Sequence, residues 1–369
     1  MNSPKDILTS RQLLVILIST VIGVQVFIMP RLVVEAAGRD GWLSLVLGGG
    51  WALLAATAAA YLASFFPRQT PVVWFSHLLG KWGGIALSLG FGCFFLFVAA
   101  EVLRLFTDMT QTYLLPRTPS EIIMITFLLS IAYVVCHGIN PIARVTLIFF
   151  LFGIIPSIIL IAVFQGKVNF GELVPVLAGG IAPVIRGFLP AYGDFGGWGI
   201  IVFLVQFMDT PKEAVKGTAV GMAVIWLFFM ATFIITLAAF GPIETQYLLY
   251  PVVDLIREME GVGGFIEKLD LIFLSAWILS VFVTLAVCYY VAVLAISQLA
   301  GIKNIAVPVY VGLPLVYLLA LLPQGYKAAE GLVGYLNYTS FIFSLSVPLL
   351  VFLARRKIKQ GGVSDGEQT

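Results

Sequence analysis

The sequence predicts an all-α integral membrane protein of ten transmembrane helices, built as two inverted five-helix repeats whose opening helices are both broken. Three observations lead there. The first is composition: 60% of the 369 residues are hydrophobic, only 11% are charged, and mean hydropathy is +1.04. Apolar runs of about 20 residues, the length a helix needs to cross a hydrocarbon core, recur from end to end. The second is that Pro, Gly and charged residues separate those runs at short intervals, with no long polar linker. The third is a pair of interruptions inside apolar runs, at Ile22-Gly23-Val24-Gln25 and at Tyr192-Gly193-Asp194-Phe195-Gly196-Gly197-Trp198-Gly199.

Taken in order, the spans are expected near 11–36, 41–65, 84–114, 121–137, 142–165, 181–208, 214–240, 269–298, 304–323 and 335–354. The first apolar run begins at Leu13 and lacks a small-residue cleavage site, so it reads as a retained span and not a leader. Loops such as Gly38-Arg39-Asp40-Gly41 and Pro116-Arg117-Thr118-Pro119 separate the early spans. The longest loop, Gly241 to Lys268, is acidic, and its Val252–Met259 stretch has one apolar face, which predicts a short interfacial lid helix. With the N-terminus in the cytoplasm, the inner side gathers the larger share of the 21 basic residues, among them Lys5, Arg11, Arg68, Arg144, Lys212 and Arg356. That bias predicts both termini inside, the basic tail anchoring the last helix at the inner interface.

The two interruptions lie about half the chain apart, and each opens a set of five spans. Five is odd, so the second set must cross in the reverse sense. The expected division is a first repeat over 1–180, an inverted second repeat over 181–354 and a cytoplasmic basic tail over 355–369. The long span stands third in each set. Cys93, Cys136 and Cys288 are far apart within apolar runs, and His77 and His137 have no ligand partner at i+4, so no disulfide, metal or cofactor is expected. A net charge of +2 gives no reason to expect nucleic acid, and no nucleophile–base pair suggests an enzyme.

An acid amid glycines is costly in lipid, about 2.5–3.5 kcal/mol at mid-bilayer on insertion scales, unless it faces a cavity or protein. Paired discontinuous helices point to a small-molecule site near the midplane. Gly23 permits close backbone approach, and the free amides of Val24 and its neighbours, opening the second half-helix, suit a carboxylate. Gln25 adds a side-chain amide. The carbonyls ending near Tyr192 and Gly193, together with Asp194, suit an ammonium group, and Tyr192, Phe195 and Trp198 are candidates to enclose a side chain. Glu101 sits mid-way along the third span, with Arg104 and Asp108 on the same helical face, so it either joins an internal ion pair or faces the central cavity.

Thr9-Ser10-Arg11-Gln12-Leu13, Ile22-Gly23-Val24, Met29-Pro30-Arg31 and His137-Gly138-Ile139-Asn140-Pro141-Ile142-Ala143-Arg144 carry a family resemblance. They resemble the permease-like B subunits of spore germinant receptors, within the amino acid/polyamine/organocation superfamily. The resemblance implies a LeuT-like fold and a bacterial spore inner-membrane location. It also implies A and C subunit partners and a small-molecule germinant, an amino acid or similar nutrient, whose binding triggers germination. It places a hydroxyl, Thr284 of the eighth span, facing the first. Many relatives have a second glycine where this chain has Gln25. The alternative is a proton-coupled amino acid symporter. The fifth span lacks the mid-membrane lysine common in proton-coupled relatives, although Glu101 or Asp194 offers another proton carrier. A cavity conducting water or ions is a third reading.

Overall fold

The computed structural model describes residues 7–163, 168–260, 269–323 and 326–359. Lys5, Lys167, Lys268 and the end of the basic tail, 360–369, lie outside the described residues. The fold is almost wholly helical. Among the described residues the one β feature is a single bridge between Leu8 and Met208.

The first span is two half-helices, α1 (Ser10–Ile22) and α2 (Gln25–Ala37). Each has 13 residues, about 20 Å of rise, so neither alone crosses about 30 Å of hydrocarbon. A capping box starts α1: Gln12 N–H donates to Thr9 Oγ1 at 3.3 Å, and Thr9 N–H donates to Gln12 Oε1 at 2.9 Å. Next come α3 (Gly41–Ser64), α4 (Pro71–Tyr113), α5 (Ser120–Val135) and α6 (Ile139–Val163). Within α4, Gly80 adopts φ +81°, which sets a short leading helix off from the span proper.

The sixth span is α7 (Ala182–Gly193), a 3-10 turn at Gly196–Gly199, then α8 (Ile200–Leu204) and a closing 3-10 turn to Phe207. Its two parts are bent by 47°. After it come α9 (Glu213–Thr245), α10 (Pro251–Glu260), α11 (Leu269–Ala300), α12 (Ala306–Leu321) and α13 (Tyr326–Lys359). The short α10 falls on the stretch expected to be helical, and its own Val252, Val253, Leu255 and Ile256 are buried.

Packing follows a two-fold plan. α2 lies against α7, α3 against α9, α4 against α11 and α5 against α12, so the first four spans of one set each meet their counterpart in the other. Within each set the first span packs on the fifth, α1 on α6 and α7 on α13. Counterparts meet in this way when two copies of one motif are related by an axis in the membrane plane. The long third spans, α4 and α11, form the central pair and place Glu101 at the middle of the bundle.

Candidate functional site

The first break is shaped by two residues of α11. Gly23 ends α1 with φ +29° and ψ −128°, a backbone conformation open mainly to glycine. Its carbonyl accepts from Trp277 Nε1 at 3.2 Å. The Thr284 hydroxyl donates to Ser19 O at 3.1 Å and lies near Ser280 O at 3.2 Å, holding the last turn of α1. A Cβ on Gly23 would lie 2.6 Å from Thr284 Oγ1. Glycine is therefore required here by conformation and by space. Among the described residues no side chain caps α2, and of its first-turn amides Phe27 N–H donates to Val24 O at 3.3 Å.

The second break brings Asp194 inward just past the end of α7. It is 4% exposed, and its Oδ2 has no hydrogen-bond partner among the described residues. Glu101, 5% exposed, accepts from Gln25 Nε2 at 3.0 Å. Arg104 turns the other way and pairs with Asp108 at 3.0 Å, so the three charges of that face do not form one ion-pair network. Glu101 is tied to the break in the first span instead.

One cavity of about 40 Å³ joins these groups. Of the residues predicted from sequence, Val24, Gln25, Glu101, Gly193, Asp194 and Thr284 line it, and Gly23 abuts it through Thr284. Tyr192 and Phe195 do not. The Tyr192 hydroxyl donates to Ser340 O at 3.1 Å and accepts from Trp198 Nε1 at 2.9 Å, which ties α7 to α13. Phe195 packs edge-on against Phe229 with centroids 5.2 Å apart. The wall also includes Thr20, Asn337 and Ser340, which sequence reasoning missed. Asn337 and Ser340, spaced i, i+3 on one helix face, were the available signal.

The wall carries two carboxylates and neither Lys nor Arg among the described residues. Thr20 Oγ1, Gln25 Oε1 and Asp194 Oδ2 are buried there without hydrogen-bond partners among the described residues. Buried polar atoms are normally satisfied, and each left unpaired costs about 1–3 kcal/mol. Unsatisfied acceptors facing a shared cavity are suited to an ammonium or hydroxyl donor, while the free amides opening α2 are suited to an anion.

Discontinuous helices meeting at a polar mid-bundle cavity define a membrane protein of the transporter fold. Solved structures agree on that fold. The chain superposes on MhsT in complex with L-phenylalanine with a TM-score of 0.65, at 12% identity over 95% of this chain and 89% of that one. With Mhp1, a nucleobase-cation-symport-1 family transporter in a closed conformation with bromovinylhydantoin bound, the TM-score is 0.60, at 15% identity over 96% and 82%. Sequence then narrows the class: the chain belongs to the Spore_permease family, described as spore germination protein, which it matches over residues 7–328. It is similar to spore germination protein YndE of Bacillus subtilis (strain 168), 30% identical over 98% of this chain and 99% of that one. It is also 27% identical to spore germination protein KB of the same organism over 97% of each, and 27% identical to spore germination protein A2 over 92% of each. The chain is an integral membrane protein of that family, with the fold of amino acid/polyamine/organocation-type transporters.

Proposed function

We infer that this protein is the membrane subunit of a spore germinant receptor. It binds a small zwitterionic nutrient between its two broken helices and passes the resulting change to A and C subunits. The observation carrying this reading is the cavity itself, with unpartnered Asp194 on one side and the uncapped start of α2 on the other. An α-amino acid would set its carboxylate at the α2 amides and its ammonium at Asp194, with Gln25, Glu101 and Thr284 completing the wall. The relatives named as spore germination proteins support a role in germination; the spore inner membrane is the location this reading adds, and the charge bias supports cytoplasmic termini. The repeat boundary near 180 and the basic tail from 355 belong to the same reading, with the counterpart packing as support. Binding without chemical conversion fits a family of germination proteins on a transporter fold.

A by-volume argument constrains the ligand. One water takes about 10–15 Å³ by the same measure, so about 40 Å³ holds only a few waters. Glycine- or alanine-sized ligands require the least expansion. Proton-coupled uptake is the second reading, favoured by two acids sharing a cavity that no basic side chain neutralises.

The test is a panel of radiolabelled amino acids, measured for binding in detergent and for uptake into proteoliposomes under a pH gradient. Binding without uptake supports the receptor, whereas concentrative uptake makes the chain a symporter. Asp194→Asn removes a charge-assisted bond worth about 1.5–3 kcal/mol, so affinity should fall at least tenfold. Unchanged affinity in that variant removes Asp194 from the site.

A further inference from the structure

A second cavity, about 320 Å³, opens on the side of the bundle opposite the chain's first residues. Leu32, Glu35 and Ala36 of α2, Pro190 of α7, and Val333, Gly334 and Asn337 of α13 line it. One residue is common to this vestibule and to the central cavity, Asn337. Its amide lies directly against Gly193, where a Cβ would overlap Asn337 Cγ, Oδ1 and Nδ2. Gly334, one turn earlier on α13, has no neighbour within contact of an added Cβ, so the space beside it is open. No hydrogen bond holds the Asn337 amide among the described residues, whereas Tyr192 and Ser340 nearby are firmly tied together.

We propose that the vestibule is the access route to the central cavity and that Asn337, seated on Gly193, is its gate. This rests on the central cavity being the ligand site, and it adds a route and a named gating residue. The geometry explains why glycine stands at 193: any side chain there would displace the amide. It also explains why the gate is polar but untethered. A rotamer change of one side chain connects a large outer chamber to a small inner one, and the open position needs no bond to be broken. An amino acid crossing this point would meet a neutral amide between Asp194 and Glu35, which is paired with Arg31 Nη1 at 3.2 Å.

The native Cys288 permits a test that needs no ligand, because it is buried and lines the central cavity. In a Cys93→Ser, Cys136→Ser background it is the single remaining thiol of the chain's three cysteines. A small membrane-impermeant methanethiosulfonate reagent is applied to proteoliposomes from the vestibule side, and Cys288 modification is followed by mass spectrometry. Asn337→Ala should raise the labelling rate at least fivefold and Asn337→Met should lower it, with the Cys288→Ser chain as blank. Equal rates in all three proteins, or no modification of Cys288 in any, overturns the proposal. Where an amino acid binds, Asn337→Ala should raise the association rate at least fivefold. A Kd weakened tenfold through dissociation alone would make Asn337 a ligand contact and not a gate. Absence of amino acid binding with altered Cys288 labelling would reject the ligand assignment and keep the route.

Discussion

Replacing Gly23 by alanine probes the packing of the first break, and its cost can be built up from the geometry. Gly23 has φ +29° and ψ −128°, a conformation that costs a residue with a Cβ about 1–3 kcal/mol. The added methyl would stand 2.6 Å from Thr284 Oγ1, 3.0 Å from Thr284 Cγ2 and 3.2 Å from Thr20 O. The Thr284 side chain must therefore move and give up its bond to Ser19 O, a further loss of about 0.5–1.5 kcal/mol. Together these come to about 2–4 kcal/mol. The two parts separate in a double-mutant cycle. Thr284→Ala removes the hydroxyl and methyl that clash, so Gly23→Ala in that background should cost only the conformational part. The expected coupling is about 1 kcal/mol or more of relief. Thermal unfolding in detergent, followed by the loss of monodisperse protein on size exclusion, gives the four apparent midpoints under one heating protocol. Gly23→Ala should lower the midpoint more than Thr284→Ala, and the double variant should fall to about the Gly23→Ala midpoint, by less than the sum of the two single effects. A Gly23→Ala protein with wild-type stability would refute the reasoning, because neither the unusual backbone nor the contact with Thr284 could then be real. Additivity of the two single effects would refute the contact alone.

Two further predictions concern residues that do not touch the cavity. Tyr192→Phe deletes the hydroxyl that accepts from Trp198 Nε1 and donates to Ser340 O, leaving a buried indole N–H unpaired; the thermal midpoint should fall by the equivalent of about 1–3 kcal/mol while ligand affinity stays within twofold. A large loss of affinity at unchanged stability would instead make Tyr192 a binding residue. Thr9→Ala removes the cap of α1 and should cost about 1 kcal/mol by the same midpoint assay, clearly less than Gly23→Ala, with a loss as large as that of Gly23→Ala counting against it.

The helices and the two breaks were legible because each follows from local chemistry. A helix-length apolar run must be satisfied internally in lipid, and a glycine cluster with an acid marks where that rule is suspended. Gln25, Glu101 and Asp194 were visible for the same reason, being polar groups at depths where polarity is expensive. The aromatic candidates were less legible. Tyr192 and Trp198 are near Asp194 in sequence, but helical rotation turns them toward α13, and sequence proximity at a break says little about direction. Glu101 illustrates a related difficulty. Its own helix offers Arg104 at i+3, yet the partner it takes is Gln25, 76 residues away. Asn337 was missed because its importance arises only from facing Gly193 across the bundle. Long-range pairings of this kind depend on which spans are counterparts, and the inverted arrangement sets those without any matching residues in sequence.

Whether the protein senses or transports depends on the opposite end of the cavity, and there the structure offers a specific seal. Leu8 N–H donates to Phe207 O at 2.8 Å, and Asp209 N–H donates to Leu8 O at 3.3 Å, so the segment before α1 is stitched to the end of the sixth span. The Leu8 side chain is fully buried. Opening this side would break both backbone bonds, about 0.5–1.5 kcal/mol each, and expose the leucine, about 1.5–3 kcal/mol. A barrier of that size keeps the open state rare, as a receptor requires, because a ligand must bind yet not pass through. Leu8→Gly removes the side-chain part and leaves the backbone bonds possible. A loss of about 2 kcal/mol corresponds to a roughly thirtyfold rise in the open population. Proteoliposomes carrying Leu8→Gly should therefore show at least tenfold faster downhill flux of the bound amino acid than wild type. If a correctly folded, ligand-binding Leu8→Gly protein gives wild-type flux, Leu8 is not the seal, and the barrier to passage must lie elsewhere in the bundle.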